Sequence, residues 1–172
     1  MVNDIFLYET TGSQFLSRPE CVKMNVSVKI KRLPHSEGLD LPVYATIGAA
    51  GVDLLAAIDE EKTIFCQSQV AIPTGISVAL PKGYELQIRP RSGLAYKHGI
   101  MVVNSPGTID EDYRGEIFVI LLNTSTSNHF TVTRGMRIAQ AVVAPVVRIV
   151  WDEVDTLDET VRGDGKFGST GV

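Results

Sequence analysis

The stretch from residue 25 to residue 152 never runs far without punctuation, and this limits the fold more than any other feature. Eight prolines lie between Pro19 and Pro145, and turn signals recur at Pro73-Thr74-Gly75, Pro81-Lys82-Gly83, Ser105-Pro106-Gly107 and Arg134-Gly135. Proline interrupts helices, and these clusters set tight turns. Between the turns the chain alternates with a period of two. "YELQIR" sets Tyr84, Leu86 and Ile88 on one face, "ISVAL" groups Ile76, Val78 and Leu80, and "HFTVTRG" does the same with Phe130 and Val132. "NVSVKIKRL", after Met24, reads as the first strand. "IFVILL" and "IAQAVVAPVV" are more continuously apolar, as for strands buried on both faces. Only "RSGLAYKHG" offers a short helical turn, and "DEVDTLDETV" is ambiguous. The expected class is all-β, with many short strands closing a barrel or jelly roll.

At 172 residues and 44% hydrophobic, the chain can bury one core. A net charge of -4 argues against a bulk pull toward nucleic acid or anionic membrane, so an anion site must be local. Cys21 and Cys66 lack zinc-site spacing and read as free thiols in a reducing cytoplasm. No apolar run is long enough to span a membrane. Residues 1–23 show no clear periodicity, do not read as a signal peptide, and look like an appended, mobile segment. Asp152 to Glu159 reads as an acidic connector to a glycine-rich tail, "RGDGKFGSTGV", that cannot contribute a core.

Four internal stretches carry candidate chemistry. In "NSPGTIDEDYRGEI" (104–117) a Pro-Gly turn leads to an acidic tip and a return strand, a shape that can offer backbone groups to a planar polar ligand. Three acids in a turn are usually just solvated, but Asp110 follows an apolar Ile and could face a cleft as a general base. In "IRPRSGLAYKHG" (88–99) Arg89, Arg91, Ser92 and Gly93 open a helical turn, the parts of an anion site. An ordinary N-cap by Ser92 is an equal reading. "GAAGVDLLAAID" (48–59) lacks the spacing of a dinucleotide or P-loop fingerprint. Its Asp53, inside an apolar run, is more simply a carboxylate satisfied by backbone or Arg. Gln140 within "RGMRIAQAVVAP" is equally readable as a core amide. His35, His98 and His129 share no spacing and suggest no catalytic role.

Five blocks in order, "AAGVDLLAA", "RPRSGLA", "NSPGTIDEDYRGEI", "RGMRIAQAVV" and "RGDGKFGSTG", resemble the trimeric deoxyuridine triphosphatase (dUTPase) family over roughly Met24 to Val172. The resemblance implies a distorted jelly-roll barrel of β-clip type, homotrimeric, with active sites between subunits. It divides the chain into an appended segment (1–23), a core (24–152) and a flexible arm (153–172) that closes over a site. The implied reaction is hydrolysis of dUTP to dUMP and pyrophosphate by water attack at the α-phosphate, with Mg2+. It would limit uracil in DNA and supply dUMP for thymidylate synthesis. The partners implied are dUTP and two further copies of the chain, with no nucleic acid and no membrane, in the cytoplasm.

By the same resemblance Asp110 is the general base. Tyr113 stacks on the deoxyribose and blocks a 2′-hydroxyl. Asn104, Thr108, Ile109 and Phe118 belong to the hairpin that pairs the uracil edge. Arg91, Ser92, Gly93 and Gln140 contact phosphate. Arg162, Phe167, Ser169 and Thr170 form the closing arm, and Asp53 supports the metal through water. Lys166 departs from the family, which usually has a second glycine before the Phe. The Cβ of Lys166 would restrict the arm if the position needs positive φ; alternatively its ammonium adds a phosphate contact. A related scaffold, the dCTP deaminases, carries a catalytic Glu on the return strand, for which Glu116 is the nearest residue. A non-enzymatic nucleotide-sensing trimer is the other alternative.

Overall fold

Turns and alternation resolve into eleven short strands in the computed structural model, which describes residues 25–167 and 169. They are β1 (Lys29–Arg32), β2 (Val52–Leu55), β3 (Lys62–Ile64), β4 (Gln69–Pro73), β5 (Ile76–Ala79) and β6 (Tyr84–Arg89). The single helix among the described residues, α1 (Ser92–His98), precedes β7 (Ile100–Val102), β8 (Gly107–Ile109), β9 (Phe118–Asn123), β10 (Phe130–Val132) and β11 (Arg137–Pro145). One 3-10 turn, Pro34–Ser36, follows β1. The expectation of a β protein with one helical turn holds. The appended segment 1–23 lies outside the described residues.

Every pairing is antiparallel. The largest sheet runs β2-β11-β6-β8, a second runs β4-β9-β7, and β1-β5 and β10-β3 form two ribbons. Between them lies one core, in which Leu54, Ile64, Ile72, Ile100, Ile117, Val119, Leu121, Val132 and Ile138 are almost wholly buried. Each such side chain contributes about 1.5–3 kcal/mol. The buried Asn123 is satisfied: its amide donates to the Ile64 and Asn128 carbonyls, and its Oδ1 accepts from Ser125 N.

Three details differ from the sequence expectation. β9 is not buried on both faces: Val119, Leu121 and Asn123 are covered while Phe118, Ile120 and Leu122 are only partly so or exposed. β11 ends at Pro145 rather than continuing through Val147, because proline has no N–H to extend the ladder. The 104–117 stretch is more than a hairpin. β7 and β9 pair in one sheet, while β8 crosses to pair β6 in the other, with Thr108 opposite Gln87.

Beyond β11 the described chain forms no helix or strand, which resolves the ambiguity of "DEVDTLDETV". This segment carries its apolar side chains uncovered: Val147 is 89%, Val150 91% and Trp151 86% exposed.

Candidate active site

The sequence candidates fall into two groups on one chain. The first gathers where β2, β11 and the end of β6 lie side by side, with Gln140 opposite both Asp53 and Arg89. Arg91 Nε donates to Asp53 Oδ1 at 2.9 Å, and Arg137 donates to Asp53 Oδ2 at 3.3 Å. Arg91 also donates to the Arg137 carbonyl, and the Gln140 amide donates to Pro90 O at 2.9 Å. Arg91 is the N-cap residue of α1, Ser92 and Gly93 form its first turn, and no side chain caps it. The N-cap reading of Ser92 therefore does not hold. The result is a pair of guanidinium forks held by one carboxylate, beside the unpaired N–H groups that open a helix. One net positive charge and several donors suit a phosphate.

Arg137 was not among the sequence candidates. Strict alternation sets residues 137 and 140 on opposite faces of β11. A register shift between Arg137 and Ala139 breaks that alternation, a bulge that re-aims a side chain.

The second group surrounds the β8–β9 connection. Asn104, Thr108, Asp110, Tyr113 and Phe118 are exposed and Ile109 is half-buried. Thr108, Asp110, Glu111 and Asp112 border a cavity of about 570 Å³ with Tyr84, Glu85 and Arg148. The carboxylates here differ in what they already hold. Glu111 accepts from Gly83 N and faces Arg148. Glu116 accepts from both His35 Nε2 (2.7 Å) and Gly75 N (2.8 Å). Among the described residues nothing donates to the Asp110 carboxylate, while its carbonyl accepts from Tyr113 N at 3.2 Å, which sets its backbone. Tyr113 lies against Gly115 and donates to the Glu116 carbonyl at 2.9 Å.

The two groups are far apart on one chain. From β2 to β8 is three strand spacings, about 14 Å, and Asp110 lies about four residues, or about 13 Å, along the strands from the Asp53–Arg89 level. The separation is roughly 20 Å, too far for both to reach the same phosphate.

In the arm, Arg162 and Phe167 are exposed and Ser169 N donates to Lys166 O at 3.1 Å. Lys166 does not take positive φ; among described non-glycine residues only Gln67 does. Thr170 lies outside the described residues. No group of three or more His, Cys, Asp or Glu able to hold a metal occurs among the described residues. With both Asp53 oxygens taken by arginines, the described residues offer no protein cage for a metal, and an ion here would have to be held by its own waters and a bound anion. No described helix is long and apolar enough to cross a membrane.

Solved structures place this fold in a class, the β-rich dUTPase fold. A dUTPase of Staphylococcus bacteriophage 80alpha, solved with dUpNHpp, superposes with a TM-score of 0.75 at 24% identity, covering 85% of this chain and 99% of that one. A mutant dUTPase from phage phi11 of S. aureus, described as coordinating a structural Mg(II) ion, gives 0.67 at 20% identity over 77% and 99%. The sequence is more specific. The profile of the dUTPase family matches residues 37–171. A deoxyuridine 5′-triphosphate nucleotidohydrolase of Maricaulis maris is 59% identical over 149 residues, 86% of this chain and 97% of the relative. One of Rickettsia akari is 57% identical over 150 residues, 87% and 100%. The chain belongs to the dUTPase family.

Proposed function

We propose that the chain hydrolyses the magnesium complex of dUTP to dUMP and pyrophosphate, as a homotrimer of jelly-roll barrels with sites between copies. The observation that carries this reading is the state of the carboxylates. Of the acids in the family blocks, Asp53, Glu111 and Glu116 already accept bonds from protein donors. Asp110 and Asp112 are both exposed at the cavity with carboxylates unbonded among the described residues, and of the two only Asp110 directly follows a strand, β8, that fixes its backbone.

In this reading Asp110 accepts a proton from a water whose oxygen attacks the α-phosphorus. The bond from that phosphorus to the bridging oxygen breaks, and its electron pair leaves with pyrophosphate. Arg91, the first turn of α1 at Ser92 and Gly93, and Gln140 hold the phosphates, with Arg137 and Asp53 fixing Arg91. Bound to the phosphates, the ion supplies neutralisation of the charge on the leaving group. Tyr113 covers the deoxyribose, and the backbone around Asn104, Thr108, Ile109 and Phe118 reads the uracil edge and leaves no room for a 5-methyl. Arg162, Phe167, Ser169 and Thr170 close over the bound nucleotide. The reaction limits uracil in DNA and supplies dUMP.

Two observations support assembly from several copies. The two groups of one chain lie roughly 20 Å apart, and the apolar run Val146, Val147, Ile149, Val150 and Trp151 is uncovered on a single chain. A closed ring answers both.

Purified protein with dUTP and Mg2+ should release pyrophosphate, and dCTP should yield no ammonia. Asp110→Asn should lower kcat by about a hundredfold or more, while the neighbouring exposed Asp112→Asn stays within about tenfold. Ammonia from dCTP, or a greater loss at Asp112, would refute the assignment. The deaminase alternative is disfavoured because Glu116 is turned toward His35 and Gly75.

A further inference from the structure

We propose that His35, which lies outside the five family blocks, is a positioning residue for sugar selection and acts through Glu116 on Tyr113. The proposal deepens the hydrolase reading above and rests on it.

A Cβ on Gly115 would lie 2.3 Å from the Tyr113 hydroxyl oxygen and 2.5 Å from Cζ, so the ring occupies the space that any other residue would fill. The hydroxyl donates to the Glu116 carbonyl at 2.9 Å. Where the ring sits therefore depends on where that carbonyl sits. The carbonyl shares a peptide plane with Ile117 N, which donates to Ile76 O at 2.9 Å. On its other side the plane is held by the Glu116 side chain, whose Oε1 accepts from Gly75 N and His35 Nε2. A carboxylate only accepts, so the ring nitrogen is the donor and Nε2 carries a proton.

His35 is rigidly mounted. Its neighbour Ser36 is buried and donates from Oγ to Leu33 O at 2.8 Å, and Leu33 N donates to Gly75 O at 2.8 Å. Gly75 has φ of +67°, and a Cβ there would lie 2.3 Å from Ser36 Cβ. The 3-10 turn, the β4–β5 turn and the start of β9 thus form one knot with Thr74, which donates twice to Ile117 O. A plain surface His–Glu pair would do little. This one is only 33% and 15% exposed, shares its acceptor with a backbone N–H, and sits one residue-length from the tyrosine's acceptor.

The test uses the full chain and the ratio of kcat/KM for dUTP to that for UTP. The ratio is unaffected by the fraction of protein that is folded. His35→Ala should lower it about fivefold, the loss expected for one hydrogen bond. His35→Gln, which keeps a donor near the Nε2 position, should stay within about twofold of wild type. Tyr113→Phe should lower the ratio similarly, and the double variant should fall no further than the larger single loss. An unchanged ratio in His35→Ala, even with lower total activity, would overturn the proposal, as would a His35→Gln that fails equally. No pyrophosphate from dUTP with wild-type protein would instead overturn the hydrolase reading and the proposal with it.

Discussion

Two inactive variants should restore each other, and the size of the rescue follows from the sheet register. Gln140 aligns Asp53 with Arg89, while Ile109 on β8, two strands beyond β11, aligns with Leu86, three residues before Arg89 on β6. A base must lie about 3 Å from the water it activates, and that water about 3–3.5 Å from phosphorus. Groups roughly 20 Å apart cannot meet both demands for one triphosphate. On the proposed mechanism, Asp110 and Arg91 of one chain then serve different sites. Asp110→Asn removes the base and should leave about 1% activity or less. Arg91→Ala removes a charge-assisted contact worth about 2–3 kcal/mol, leaving about 1–3%. Asp53 keeps Arg137, so the variant should still fold. When the two chains assemble at random in equal amounts, a site needs its Asp110 from one type and its Arg91 from the other, each with even odds. About a quarter of the sites are then intact in a closed ring. Pyrophosphate release from co-refolded protein should rise to about 25% of refolded wild type, roughly tenfold or more above either parent. Activity no higher than the parents' mean, with mixing verified by two affinity tags, would show that base and arginine act within one chain.

Three further outcomes follow. Deleting residues 162–172 should cost at least about tenfold in kcat/KM for dUTP with an unchanged melting transition, since the described arm adds no core residue; Lys166→Gly should change kcat/KM by less than about threefold, because Lys166 does not occupy positive φ. Trp151, the only tryptophan and 86% exposed on a single chain, should emit at short wavelength in the assembled protein and shift red on dissociation by dilution; red emission throughout would mean no copy covers it. Gly115→Ala should displace the Tyr113 ring and lower the dUTP-to-UTP preference by about fivefold or more, and an unaltered preference would remove Tyr113 from sugar selection.

What could be read from sequence was whatever obeys a local period. "YELQIR" became β6 residue for residue, because a half-buried antiparallel strand writes its two faces into alternate positions. The helical turn after Arg91 was equally plain. The reach of Arg137 was not, because one register shift in β11 reverses its face and no local signal marks the bulge. His35 and Glu116 were invisible as a pair for a different reason. Their contact joins segments 81 residues apart, and its meaning lies in the carbonyl it orients.

The same distinction explains why block order identified the family while the site stayed divided. By the family resemblance the blocks hold residues of one ligand site, and in sequence they look like its parts. On the folded chain, Asp53, Arg91 and Gln140 share one end of the largest sheet, and Thr108 and Asp110 lie off its far edge. Antiparallel pairing fixes both locations to within a residue, and no loop motion can bring β2 to β8 across two intervening strands. In the proposed function, convergence on one nucleotide therefore comes from symmetry, and the exposed apolar segment after Pro145 is the part of the chain that would gain most from a neighbour's cover.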